Sequence, residues 1–214
     1  MYAEAIKLKL KKLTAALTAV VLLFTIQTSA YAKSTTYTVV SGDSMWKIAV
    51  KYQIGVSELI KANPQISNPS MIKVGQKINI PEASPLAAYE TEVIRLTNLE
   101  RTKRGLPALT TNWQLSRVAR YKSQDMINKN YFSHNSPTYG SPFTMMQSFG
   151  LKFSAGGENI AYGQRTPQEV VNAWMNSPGH RANILSTAYT QIGVGAAKKS
   201  NGTLYWTQQF IHPY

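Results

Sequence analysis

Three side chains in the second half of the chain have the chemistry of a site: His134, Glu158 and His180. Neutral imidazole binds divalent metals such as Zn²⁺, and a nearby carboxylate acts as a general base, an orienting group or a third ligand. The three residues are separated by 24 and 22 positions, so no local metal-binding spacing is present. Only the fold can bring them together.

His180 lies at the start of a predicted helix. Ser177 can cap that helix by accepting an orphan backbone N–H, and Pro178 stands at the first helical position, where its missing N–H costs nothing. A histidine held on such a helix presents a ring nitrogen to a cleft, whereas a histidine in a loop is satisfied by local hydrogen bonds. The third histidine of the chain, His212, is expected to be exposed.

The elements that must position these side chains are helices first and strands later. The segments around His134 (131–137) and Glu158 (156–161) are predicted as a loop and as a tight segment. Helices followed by an antiparallel pair of strands indicate an α+β fold rather than a βαβ series. The predicted elements are helices over 87–104, 113–129, 141–149, from 166 onward and over 177–185, then strands over 191–197 and 204–210 with a hairpin turn at 200–202.

A separate small module is predicted at 35–82, joined to the larger domain by a short linker at 83–87. The order of strand, helix, helix and strand leaves a core of marginal size. The short linker is expected to tether the two parts closely. The predicted elements are a strand over 37–40, a helix from 45 to 52, a helix over 57–62 and a strand over 77–80.

Four runs in the small module carry a family resemblance. They are Tyr37-Thr38-Val39, Gly42-Asp43-Ser44-Met45-Trp46-Lys47-Ile48-Ala49, Ala62-Asn63-Pro64-Gln65-Ile66 and Val74-Gly75-Gln76-Lys77-Ile78. Together they resemble the LysM family, which binds N-acetylglucosamine-containing glycans such as peptidoglycan and chitin. The resemblance implies a shallow groove between the first strand–helix loop and the last helix–strand loop.

The same resemblance assigns residues to the two walls of that groove. Backbone polar groups at helix ends can bond acetamido groups, while apolar side chains meet the face of the sugar. The side chains of Asp43 and Ser44 are also explained as helix caps, and Met45 as a core residue. The implied groove residues are Gly42, Asp43, Ser44 and Met45 on one wall and Pro64, Gln65 and Ile66 on the other.

Six runs occur in order along the larger domain, at 88–212. They are Asn98-Leu99-Glu100-Arg101, Tyr131-Phe132-Ser133-His134, Gly157-Glu158-Asn159-Ile160, Val171-Asn172-Ala173-Trp174, His180-Arg181-Ala182-Asn183-Ile184-Leu185 and Ile192-Gly193-Val194-Gly195. Together they resemble the CAP (SCP/PR-1-like) superfamily in its bacterial, cysteine-free branch. The resemblance implies an α-β-α sandwich with a large cleft. In many members that cleft holds two histidines and two glutamates, and some members bind a divalent metal through the histidines.

The resemblance maps His134 and His180 onto the two family histidines, and Glu158 onto the first glutamate. The second glutamate lies three residues after a helix tryptophan, and three residues after Trp174 this chain has Ser177. One of the paired carboxylates is therefore missing. A serine hydrolase is not favoured, because Ser177 is not in a Gly-x-Ser-x-Gly nucleophile elbow. Further candidate polar groups of the cleft are Tyr121, Asn159, Asn183 and Gln209.

Residues 1–32 have the pattern of an export signal. Lysines precede an apolar run over 13–26, and Ala30-Tyr31-Ala32 supplies a small-x-small cleavage pattern. The run is shorter than the roughly 20 residues that span a bilayer, so we expect a removed signal and no stable membrane span. The absence of cysteine is typical of the bacterial envelope. The net charge of +13 is dispersed, which argues against nucleic acid and favours an anionic surface such as a cell wall.

These observations predict a secreted protein of the bacterial cell wall or spore envelope. The LysM module is expected to bind peptidoglycan, and the CAP cleft to face an unidentified ligand. The alternative is a metal-assisted hydrolase of wall peptide or glycan. In that alternative His134 and His180 hold a divalent metal such as zinc, and Glu158 is the base.

Overall fold

The structure is a computed structural model that describes residues 35–214, so the predicted export signal at 1–32 lies outside the described residues. Helices and strands are mixed, and the predicted α+β class is confirmed. Within 35–214, no helix is long and apolar enough to cross a bilayer. The elements are β1 (Thr35–Thr38), α1 (Met45–Lys51), α2 (Val56–Lys61), β2 (Lys77–Ile80), α3 (Ala87–Thr102), β3 (Thr110–Thr111), α4 (Trp113–Asn128), α5 (Pro142–Ser148), β4 (Ala155–Tyr162), α6 (Pro167–Asn176), α7 (Pro178–Leu185), β5 (Gln191–Lys198) and β6 (Leu204–His212).

The small module folds as strand, helix, helix and strand, as predicted. β1 and β2 pair antiparallel over four residue pairs, and α1 and α2 bury Ile48 and Leu59 against Ile78. The first strand was predicted over 37–40, but it lies two residues earlier, at Thr35–Thr38. The Val40 N–H donates to Asp43 Oδ2 at 2.9 Å instead of joining the ladder.

The larger domain is a four-stranded sheet between two helical layers. The strand order is β3-β5-β6-β4, with β6 antiparallel to both neighbours and the short β3, which was not predicted, parallel to β5. Alternate residues of a strand point to opposite faces. Trp206 and Phe210 accordingly pack with α3, α6 and α7, whereas Ile211 packs with α4 and α5. This is the α-β-α sandwich that the resemblance implied.

Glu158 lies on a strand rather than in the tight segment predicted at 156–161. All eight residues of β4 pair with β6. The sequence signal for this strand is weak, because glycine and asparagine are depleted in strands and the segment contains Gly156, Gly157 and Asn159. Since β4 is at the edge of the sheet, loops and helices can approach Glu158 from outside.

Helix α4 packs directly on the backbone of β5. A Cβ added at Gly193 would overlap the backbone of α4 at Ser116, and one added at Gly195 would overlap it at Arg120. The bare backbone at these positions permits the close approach. The Ser123 hydroxyl then donates to the Gly195 carbonyl at 3.0 Å, which fixes α4 on the sheet.

The helix that carries His180 begins where it was predicted, with Pro178 at its first position, but its side-chain cap is absent. The Ser177 hydroxyl makes no capping hydrogen bond. Ser177 ends α6 as well as preceding α7: its N–H donates to the Trp174 carbonyl, and its own carbonyl accepts the Arg181 N–H. The predicted Ser177 cap is therefore wrong, because only the backbone of this residue joins the two helices.

Candidate functional site

One hydrogen-bonded group contains His134, Glu158 and Gln209. We call this group, together with His180, the histidine site. The Glu158 carboxylate is buried, and its Oε1 lies 2.8 Å from His134 Nδ1. Gln209 Nε2 donates to Glu158 Oε2 at 2.9 Å. A neutral imidazole that donates from Nδ1 keeps its lone pair on Nε2. The half-exposed His134 ring thus has one nitrogen held by the carboxylate and the other available.

His180 comes to the same site from the other side of β4. Burial, and then the nearby charge of His134, lower the pKa of His180 below its usual range. His180 is thus within electrostatic range of His134, and it stays neutral to lower pH than a solvated histidine. A neutral imidazole is the form that binds a metal.

Two charged residues on α4 hold the loop that carries His134. Lys122 is fully buried, and its ammonium donates to the carbonyls of Ser133 and His134 at 2.7 Å each. One helical turn later the buried Asp125 accepts hydrogen bonds of 2.7 Å from the hydroxyls of Tyr131, Ser136 and Thr138. Burial opposes the charge of Asp125, but these hydroxyls, aided by Lys122, outweigh it and lower the pKa of Asp125.

Helix α7, which carries His180, is fixed at its end by Arg101 from α3. The Arg101 side chain is buried, and its guanidinium donates to the carbonyls of Ile184 and Ser186 at 2.7 Å each, and to Pro107 at 2.9 Å. These bonds satisfy carbonyls at the end of α7 that have no partner inside the helix. A charge at a helix C-terminus also complements the helix dipole.

Amide side chains connect α7 to β4. Asn159 Nδ2 donates to the His180 carbonyl at 3.1 Å, and Asn183 Nδ2 donates to Asn159 Oδ1 at 2.9 Å. Gln208 Oε1 accepts from Asn159 at 3.0 Å. Asn159 and Asn183 therefore hold the backbone of His180 against β4.

The remaining sequence candidates lie elsewhere. Tyr121 was predicted as a cleft residue but packs on Phe149, with ring centroids 5.2 Å apart, and lines the space between the two domains. It is not part of the histidine site, because its position on α4 faces α5 and the small module. His212 is exposed, as predicted.

The sequence reasoning missed the four buried polar residues that support the site. Their common feature is a charged or amide side chain at a position where the helix or strand pattern demands an apolar one. That mismatch could have identified them from the sequence alone. They are Arg101, Lys122, Asp125 and Gln208.

Most predicted groove residues of the small module already have internal partners. Asp43 accepts from the Tyr37 hydroxyl at 2.7 Å, and Ser44 caps α1 at Lys47 N at 3.2 Å. The side chains of Met45 and Ile66 belong to the core. A ligand in this groove would therefore meet the backbone of 42–45, together with the residues that remain exposed there, Gly42, Ser44, Pro64 and Gln65.

A cleft lies between the two domains, away from the histidines. Its volume is about 710 Å³, and it includes the start of β1, the end of β2 and the turn between α1 and α2. At its edge Arg117 Nη2 donates to Glu58 Oε2 at 2.8 Å and to the Ser57 hydroxyl at 3.0 Å. None of the seven predicted groove residues lines this cleft, so the small module meets the larger domain through a different surface.

Comparison with known proteins identifies both parts. The cysteine-rich secretory protein (CAP) family matches residues 94–210, and the LysM domain matches residues 37–81. The uncharacterized protein YkwD of Bacillus subtilis is 56% identical over 138 residues, which are 64% of this chain and 52% of YkwD. The endolysin of Bacillus phage PZA is 52% identical over 44 residues, 21% of this chain and 17% of the endolysin.

A solved structure agrees with the fold. An extracellular protein from Bacillus anthracis that contains an SCP domain has a TM-score of 0.56 and 33% sequence identity, covering 64% of this chain and 47% of that one. The chain spans about half the length of YkwD and of the Bacillus anthracis protein.

Proposed function

We propose that this chain, which belongs to the CAP family and carries a LysM domain ahead of its CAP domain, is a secreted protein that binds peptidoglycan. LysM domains generally bind N-acetylglucosamine glycans. The observation that carries the proposal is that Gly42, Ser44, Pro64 and Gln65 are exposed and that no predicted groove residue lines the cleft between the domains, so the glycan groove is open. The dispersed net charge of +13 favours the anionic wall.

The chemistry of the groove fits a glycan. Gly42, Ser44, Pro64 and Gln65 are exposed at the α1 cap and the turn after α2, and backbone N–H and C=O groups there would suit the acetamido groups of N-acetylglucosamine. Gln65 Nε2 is held by Asn63 Oδ1 at 2.9 Å, and the buried Asn63 also accepts from Asn79 N at 2.7 Å. The wall that Gln65 offers to a sugar is therefore fixed before the sugar arrives, which lowers the entropy cost of binding.

Co-sedimentation with insoluble, purified peptidoglycan tests this function. The full chain should pellet with the polymer, and Gln65→Ala should weaken binding by roughly five- to tenfold, the effect of one or two hydrogen bonds. Gln168→Ala, an exposed glutamine on α6, is the matched control and should bind normally. A wild-type chain that stays in the supernatant would refute the proposal.

For the CAP domain, we propose ligand binding rather than turnover, with His134 and His180 as ligands for a divalent cation such as Zn²⁺. The donor set fits such an ion in part: the His134 imidazole is oriented by Glu158 as metal-bound histidines usually are, and His180 is within electrostatic range of it. Within residues 35–214, no group of three or more His, Asp or Glu side chains converges on one ion position, so water would complete the coordination. A bound cation would supply Lewis acidity. Ser177 stands where a second carboxylate would be, which disfavours hydrolysis.

A further inference from the structure

Three neighbouring aromatic side chains form a surface that we call the aromatic platform: the exposed Phe132 and Tyr162 and the half-buried Tyr205. The ring centroids of Phe132 and Tyr162 are 4.7 Å apart in an edge-on arrangement, and those of Tyr162 and Tyr205 are 5.5 Å apart and nearly parallel. Phe132 is 46% exposed and Tyr162 is 52% exposed. Exposed apolar surfaces of this kind mark interaction sites more often than single exposed residues do.

The platform continues from the histidine site. Tyr162 pairs with Tyr205 across β4 and β6, and four residues earlier on β4 Glu158 pairs with Gln209. Residues i and i+4 of a strand share a face, and they are about 13 Å apart. The two pairs therefore lie in line on one face of the sheet.

The third ring of the platform is tied to the site through the loop. Phe132 stands two residues before His134, in the loop that Lys122 and Asp125 hold. The platform is thus as fixed as the histidine site, and it is ordered before any ligand binds. Preorganisation of this kind favours affinity.

The chemistry of the combined surface suits a saccharide. A pyranose ring has a face of C–H groups that packs on an aromatic ring, and an edge of polar substituents that needs hydrogen bonds. The platform offers the first surface, and the half-exposed imidazole of His134, held by the buried Glu158, offers a polar group for the second. Gln209 Oε1, buried beside Glu158, has no hydrogen-bond partner among residues 35–214. A buried acceptor of this kind is normally satisfied by an ordered water.

We propose that the aromatic platform is a saccharide subsite of the CAP domain. Pyranose rings of an N-acetylated glycan stack on Tyr162 and Phe132 while a polar substituent reaches the group of His134 and Glu158. The proposal rests on the proposed peptidoglycan-binding function and names the ligand class of the CAP site. The chain would then bind one polymer at two separate places.

Titration of the full chain with N,N′,N″-triacetylchitotriose, followed by NMR of ring-labelled tyrosines, tests the subsite. The resonances of Tyr162 and Tyr205 should shift, and Tyr162→Ala should weaken the CAP-domain site by roughly five- to tenfold. Tyr162→Phe keeps the ring and should keep the binding. Tyr214→Ala, at a tyrosine that is 91% exposed and outside the platform, is the matched control.

The outcomes separate the two proposals. Shifts confined to residues 37–81 would overturn the subsite and leave the LysM function standing, whereas no shift anywhere would count against both. Unchanged affinity of Tyr162→Ala would also overturn the subsite. Binding of the platform to phosphatidylglycerol vesicles, without a response to the saccharide, would show a lipid-binding surface and refute the proposal.

Discussion

At the residue scale, the site depends on charges that never reach the ligand. Lys122 and Asp125 are buried on α4, where the helix pattern demands apolar residues, and each is surrounded by hydrogen-bond partners rather than by a single counter-ion. Burial lowers the pKa of Lys122, while the carboxylates of Glu158 and Asp125 oppose that shift. This ammonium therefore connects the loop of His134 electrostatically to Glu158.

The three histidines of the chain provide a direct test of the metal proposal. Isothermal titration with Zn²⁺ should show one site in the wild type, and either His134→Ala or His180→Ala should weaken it by roughly 100-fold, because each removes one of two imidazole ligands. His212→Ala is the matched control, since His212 is exposed and lies outside the site. Equal loss in all three variants, or no loss in any, would contradict the assignment.

At the element scale, the position of α4 on β5 determines where Lys122 and Asp125 stand. Gly195 of β5 lies under Arg120 of α4, and Gly193 lies under Ser116. A side chain at either glycine pushes the helix away from the sheet. The loop of His134 would move with the helix, because both of its anchors are on α4.

Gly195→Ala should destabilise the protein by about 1–3 kcal/mol, the usual cost of overpacking. Gly179→Ala is the matched control, because Gly179 lies in α7 and a Cβ there meets open space. It should be neutral or stabilising by up to about 1 kcal/mol, as alanine favours helix over glycine. Urea unfolding measures both variants. Equal stability of the two would show that α4 tolerates displacement.

Much of the element pattern could be predicted from the sequence. The helix predicted over 113–129 is α4, Trp113–Asn128, because apolar residues recur at helical spacing along it; its buried face includes Leu115, Val118, Ala119 and Met126. β4 was missed, because Gly156 and Gly157 weaken its strand pattern while pairing with β6 supplies the stability. Long-range hydrogen bonds of this kind have no local pattern.

The site could be predicted only through the family resemblance. The structure joins His134 to Glu158 and ties the backbone of His180 to the same strand through Asn159, across separations of 24 and 22 residues that no spacing rule connects. Tyr121 was misassigned, because its helix position does not reveal which neighbour covers it. The prediction that the Ser177 side chain caps α7 was wrong, because this residue both ends α6 and precedes α7. Capping rules consider one helix at a time and do not anticipate such a junction.

At the scale of the whole molecule, Glu58 and Arg117 join the LysM and CAP domains. Burial opposes the charge of Glu58, but the hydrogen bonds and charge of Arg117, with the Ser57 hydroxyl, lower the pKa of Glu58 to about 2. Gly55 lies against both side chains and has no room for a Cβ. The two domains are thus fitted closely to one another at this point.

The docking of the domains should weaken in acid. The pKa of Glu58 falls from 4.5 in the unfolded chain to about 2 in the folded one. The stabilisation that ionised Glu58 provides is therefore complete above about pH 4.5 and is lost as the pH falls toward 2. Because the Glu58–Arg117 pair is partly exposed, we expect it to contribute about 1–2 kcal/mol to the free energy of unfolding. Thermal unfolding from pH 7 to pH 2.5 should show this loss in the wild type but not in Glu58→Gln. Parallel curves for the two proteins would argue against the role of the pair.

Incubation of the full chain with purified peptidoglycan, with and without added Zn²⁺ or a chelator, tests the central claim most directly. A single centrifugation then measures both the protein in the pellet and the glycan or peptide fragments in the supernatant. We predict that the protein pellets with the polymer and that no fragments are released, with or without metal. Fragments released by the wild type but not by Glu158→Gln would contradict this account and show that the CAP domain is a hydrolase.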